Sequence, residues 1–86
     1  MEILKVSSRS VPSSVAGAIS AVVRESGSVE VQSVGAGATN QAVKAIAVAR
    51  GYLTSEGIDL VCMPVFGQVM INDDERTAIR FICEKR

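Results

Sequence analysis

This 86-residue chain reads as an α+β protein, a two-layer sandwich with the element order β-α-β-α-β-β, in one domain over residues 1–86. Three observations carry that reading. In two segments, each between strand-like stretches, apolar side chains recur with the periodicity of a helix. A glycine-rich turn, Gly35-Ala36-Gly37, separates a strand pattern from a helix pattern. The last third holds two extended segments joined by a polar cluster at residues 72–75, the mark of a hairpin.

Residues 1–7 form a short strand with apolar Ile3, Leu4 and Val6, and residues 8–11 a loop. Pro12 suits the first turn of a helix, where its missing N–H would be unpaired anyway. From Ser13 to Ser26, the residues Val15, Ala16, Ile19, Val22 and Val23 recur at spacings of three and four, and Gly27 supplies the stop. Residues 28–34 alternate, Val29 and Val31 against Glu30 and Gln32, as a half-buried strand does. Residues 35–40 make the turn into a second helix that runs to about Leu53, and residues 54–57 its exit loop. Residues 58–71 are a long apolar stretch in which Pro64 and Gly67 imply a bulge or an edge position. Residues 76–85 alternate again as the final strand.

Both helices are almost free of charge. Lys44 stands alone between Glu30 and Arg50, and apolar residues from Ala42 to Ala49 cover most of the second helix's circumference. One side is expected against the sheet and the other against a second subunit, because a one-sided surface helix shows a polar stripe. A hairpin turn at Asp73-Asp74 pairs Asn72 with Glu75. It groups Thr77, Ile79, Phe81 and Cys83 with Leu60, Cys62, Phe66 and Met70 as the expected core face. Cys62 then opposes Lys85, so the cysteines are diagonal and a disulfide is disfavoured. The other face, with Val61, Met63, Val65, Val69 and Ile71 beside Arg76 and Arg80, is a further candidate contact surface.

Composition narrows the function classes. Hydrophobic residues make up 48% and mean hydropathy is +0.31, high for so small a monomer, so a homodimer or tetramer is expected. With no His there is no Ser-His-Asp chemistry, and two Cys cannot build a disulfide framework or a Cys-rich zinc site. The third glycine of a dinucleotide fingerprint would fall on Asn40, and no Gly-Lys-Ser/Thr follows. The chain is therefore expected to be no enzyme and to carry no cofactor or metal. The start lacks an apolar leader and no 18-residue apolar run exists, so a soluble, cytoplasmic protein without a membrane partner is expected. Tyr52, Phe66 and Phe81 are the only aromatics, too few for a base-stacking platform.

Lys+Arg and Asp+Glu balance at nine each. Residues 1–54 hold five basic against three acidic side chains, whereas residues 55–86 hold four against six. An anion site therefore belongs in the first half, at the strand-to-helix turn, where glycines admit close approach and helix N–H groups point outward. Gly35, Gly37, Thr39 and Asn40 form that turn, Gln41 flanks it, Lys44 lies one helical turn after Asn40, and Arg9 sits in the preceding loop. A nucleic-acid phosphate, DNA or RNA, is the fitting anion. A protein-interaction module built on the charge-poor helices, or a site for a small anionic metabolite, remain alternatives.

Three stretches carry a family resemblance: MEILKVSSRSVPSSVAGAI, VGAGATNQAVKAIAVARGYL and INDDERTAIRFICEKR. They resemble the stage V sporulation protein S family over essentially the whole chain. That family is similar in turn to the archaeal Alba chromatin proteins, with the same element order. The resemblance implies an Alba-like mixed four-stranded sheet with two helices on one face, an oligomer and nucleic-acid binding. It also implies a regulatory role in spore development, in coat assembly and late sporulation. Asn40-Gln41-Ala42-Val43-Lys44 nearly matches the Alba pattern at the second helix, with Gln41 where Alba typically has Lys. The Alba lysine pair after the first strand is replaced by Ser7-Ser8-Arg9-Ser10, and the basic hairpin arm by a short acidic turn at residues 72–75. Both departures weaken phosphate contacts.

Overall fold

A computed structural model describes residues 1–86. The elements are β1 (Ile3–Val6), α1 (Pro12–Ser26), β2 (Ser28–Ser33), α2 (Ala36–Thr54), β3 (Leu60–Ile71) and β4 (Asp74–Lys85). They build one mixed sheet in the order β1-β2-β4-β3. β1 and β2 are parallel, which requires the crossover that α1 provides, and β4 is antiparallel to both β2 and β3. The helices pack on each other and on one face of the sheet, giving the expected α+β two-layer arrangement.

Helical periodicity decides what is buried. Ala16, Ile19 and Val23 of α1, with Ala42, Ala45, Ala49 and Leu53 of α2, meet Val29, Val31, Phe81 and Cys83 of the sheet. The stripe on α2 is mostly alanine, so the helix axis can approach its neighbours closely, while Ile19, Val23 and Leu53 fill the remaining volume. Burying each of those larger side chains stabilises by about 1.5–3 kcal/mol. Pro12 opens α1, and Gly27, at φ 85°, closes it by donating its N–H to the Val23 carbonyl at 2.8 Å.

Three details depart from the sequence expectation. First, α2 begins at Ala36: Gly35 alone makes the turn, at φ 91°, and residues 36–40 are already helical. Second, the hairpin turns at Asn72-Asp73, with φ 51° and 66°, and Ile71 pairs with Asp74. A tight two-residue turn wants positive φ at both central positions, and Asn enters that region more readily than most residues. The pairing therefore shifts by two, which keeps every side chain on its expected face but brings Cys62 opposite Cys83 instead of Lys85. Of the two expected explanations for Pro64 and Gly67, a bulge or an edge position, the structure takes the edge: pairing continues through both residues without a bulge, and Pro64 needs no ladder donor there.

The third departure is the reach of the hairpin. β2 ends opposite Ile79, and the pairs from Gly67↔Ala78 to Ile71↔Asp74 continue beyond it. At about 3.4 Å per residue the arm projects roughly 17 Å past the sheet. Met70 and Thr77 on the arm are exposed, and so are Cys62 and Phe66 (78% exposed) on the part of edge strand β3 below it, so all four lie outside the core. Leu60, Phe81 and Cys83 of the same face are buried, as expected. The acidic turn is thus the tip of a long arm. No helix is long and apolar enough to cross a membrane.

Candidate functional site

Because β1 and β2 run parallel, the loops that leave them, and the N-termini of α1 and α2, lie at the same edge of the molecule. Neither helix has a side-chain N-cap. At α2 the first backbone donor used within the protein is the Thr39 N–H, which reaches the Gly35 carbonyl at 3.0 Å. The N–H groups of Ala36, Gly37 and Ala38 have no protein acceptor, and with the helix dipole they favour an anion.

The loop between β1 and α1 is folded against this turn. Gln41 Nε2 donates to the Ser10 carbonyl at 2.9 Å, and the Ser7 N–H donates to Ser10 Oγ at 2.9 Å. A Cβ at position 37 would stand 3.1 Å from the Ser8 Cβ, so Gly37 is what lets the loop come this near. The hydroxyls of Thr39 and Ser33 are joined at 2.9 Å, tying the end of β2 to the first turn of α2. Beside them opens a cleft of about 550 Å³ lined by Lys5, Ser7, Ser8, Gln32, Gly35, Gly37 and, from the arm, Val69 to Ile71.

Ion pairing sharpens the charge asymmetry of the sequence. At the far end of the molecule Arg24 holds Glu56 through three contacts of 2.6–3.0 Å, and Asp59 takes both Arg50 and Arg86. Arg80 and Glu30 neutralise each other on the uncovered sheet face. The hydrogen bond from Arg80 holds the Glu30 carboxyl below its usual range, against the upward push of burial. Lys5, Arg9 and Lys44 have no carboxylate partner. The unpaired positive charge of the first half therefore gathers toward the helix N-termini, between a paired base and the acidic tip of the arm.

Gly35 and Gly37 line the cleft, and Arg9 is exposed in the loop packed beside them. Asn40 and Lys44 lie one turn apart on the exposed side of α2, outside the cleft itself. The amide of Gln41 and the hydroxyl of Thr39 are engaged within the protein, where they hold the loop and the turn. Sequence reasoning missed Lys5, Gln32 and the arm residues at the cleft. Lys5, the one cation of the first strand, was the available signal.

These features define a small α+β protein with an anion-receptive edge and no group of His, Cys, Asp or Glu gathered to hold a metal. The family model for stage V sporulation protein S (SpoVS) matches residues 2–86. The chain belongs to that family, and its membership supports a role in sporulation.

Proposed function

We propose that this protein is a nucleic-acid-binding regulator of spore development, acting in late sporulation and coat assembly as a homodimer or tetramer. The observation that carries the proposal is the coincidence at one edge of unsatisfied helix N–H groups with the unpaired cations Lys5, Arg9 and Lys44. Phosphates sit against the first turn of α2 at Gly35, Gly37 and Asn40, and Lys44 and Arg9 supply charge from either side. Thr39 and Gln41 keep the turn and the loop in register with each other. Few contacts imply modest affinity with a shallow salt dependence, because each phosphate neutralised adds about 0.9 to the log–log slope. Titration with duplex DNA and with RNA over about 50–300 mM salt tests this; linear log–log loss of affinity supports phosphate contact.

A second reading, an assembly module without nucleic acid, is favoured by one observation. β3 exposes Met63, Phe66 and Met70, at 59%, 78% and 67%, along an unpaired sheet edge. Exposed apolar surface of that kind marks contact with another protein. Complexes that survive nuclease, together with no nucleic-acid binding at the lowest salt, would favour it.

A further inference from the structure

The hairpin register brings together the chain's two cysteines, Cys62 and Cys83, as direct cross-strand partners. Whether such a pair can be bridged depends on its place in the ladder. In a two-residue hairpin the residues flanking the turn, here Ile71 and Asp74, form a hydrogen-bonded pair, and pairs then alternate along the strands. On that count Pro64↔Phe81 is a non-hydrogen-bonded pair, as a residue without an N–H requires. Cys62↔Cys83, two residues further along, is of the same kind. Pairs of that kind hold their Cα atoms about 4.5 Å apart with both side chains on one face, within the range of about 4.4–6.8 Å spanned by protein disulfides.

We propose that Cys62 and Cys83 form an intramolecular cross-strand disulfide by exchange with a low-molecular-weight disulfide, R–S–S–R, and so fasten the base of the hairpin arm. Exposure fixes the order of events. Cys62 is exposed and Cys83 is fully buried, so the Cys62 thiolate attacks one sulfur of the oxidant. The oxidant's S–S bond breaks, a Cys62–S–S–R bond forms, and the departing RS⁻ takes up a proton as R–SH. Cys83 then gives up its proton and attacks the Cys62 sulfur, expelling the second R–SH and closing the protein disulfide. The two protein thiols lose two electrons, and R–S–S–R is reduced to two R–SH. Burial raises both thiols, and with its neighbour Cys62 it pushes Cys83 up to about 12, so Cys62 is the thiol that reacts first. The ring encloses residues 62–83, the whole arm, and ties β3 to β4, its only neighbour in the sheet. This proposal is independent of the nucleic-acid reading.

Incubation of the native protein with oxidised glutathione, then tryptic digestion without reduction, tests it. The expected product is a monomer about 2 Da lighter, with peptides 51–76 and 81–85 joined and separated again by dithiothreitol. Cys62→Ser abolishes the product, and Cys83→Ser stops at a glutathione adduct on Cys62. Should Cys83→Ser fail to fold, Cys62→Ser still decides, since that side chain is exposed. The oxidised protein should also melt at a higher temperature than the reduced one. Dimers linked through Cys62, a lasting glutathione adduct in the wild type, an unchanged melting temperature, or no reaction while the urea-unfolded chain oxidises would each overturn the proposal.

Discussion

Arg80 and Glu30 form the one ion pair whose acid is nearly buried, and Arg80→Met isolates its value. In the native protein Arg80 Nε and Nη2 donate to the two Glu30 carboxylate oxygens at 3.0 and 2.8 Å. The Glu30 side chain is 7% exposed and that of Arg80 is 40% exposed. The substitution keeps most of the aliphatic stem but strands a carboxylate on the sheet. Removing one partner of a fully buried pair costs about 3–5 kcal/mol. Solvent screening at the exposed guanidinium reduces this to about 2 kcal/mol, or a melting temperature lower by roughly 8–16 °C for a domain of this size.

The pH dependence follows from the Glu30 carboxyl, which Arg80 holds below the ordinary 4.5. A depressed folded pKa means the pair's stabilisation is fully present above the unfolded value and is lost as pH falls through the folded one. In Arg80→Met both contributions of Arg80 are gone and burial, opposed only by the charge of the amino terminus, pushes the Glu30 pKa up, so acid relieves the stranded charge. The gap between wild type and variant should close as pH drops from neutrality through 4.5. Adding Glu30→Gln to Arg80→Met should restore part of the loss, because no charge is then left unpaired. Urea unfolding followed by circular dichroism measures all three proteins. A neutral-pH difference under about 0.5 kcal/mol, the value of an exposed pair, would refute the reasoning, as would a gap that widens in acid.

Three further outcomes are expected. Gly17→Ala places a methyl in open space within α1 and should stabilise by about 0.5–1 kcal/mol in urea unfolding; a loss would show that this helix face is covered in solution. Gly35→Ala forces a side chain onto a backbone at φ 91° and should cost about 1–3 kcal/mol, and a neutral result would contradict the turn geometry. Gln41→Ala releases the Ser10 carbonyl and should cost about 1 kcal/mol while leaving the salt slope of nucleic-acid binding unchanged. A reduced slope would make Gln41 a direct phosphate contact.

The element order was legible because each helix carries its own apolar period and each ends near a glycine that the backbone uses. The face of each strand residue was legible too, since alternation is local. What lay beyond local pattern was coverage. Phe66 and Phe81 both sit on the helix-facing side of the sheet, yet only Phe81 has helices above it. Nothing in the spacing of β3 and β4 tells how far α1 and α2 extend over them. The register escaped for a different reason: Asn72-Asp73 and Asp73-Asp74 are both acceptable two-residue turns, and only the closed ladder selects one. At the candidate site, the glycines and Lys44 were visible as residue types. The Gln41 to Ser10 bond joins positions 31 apart, and no motif announces it. Nor could sequence tell that Arg24 and Arg50 are spent on carboxylates at the far end, leaving Lys5, Arg9 and Lys44 as the unpaired cations of the first half.

The central claim is that phosphates are held at the edge where α2 begins, with Arg9 and Lys44 as charge donors. It is tested most directly by the salt dependence of duplex DNA and RNA binding, compared between the wild type and the Arg9→Ala/Lys44→Ala double variant. Both side chains are exposed and unpaired, so thermal stability should not change. The account predicts weaker binding and a log–log slope shallower by about 1.8, close to 0.9 for each contact removed. An unchanged affinity and slope in a variant that melts like the wild type would contradict it.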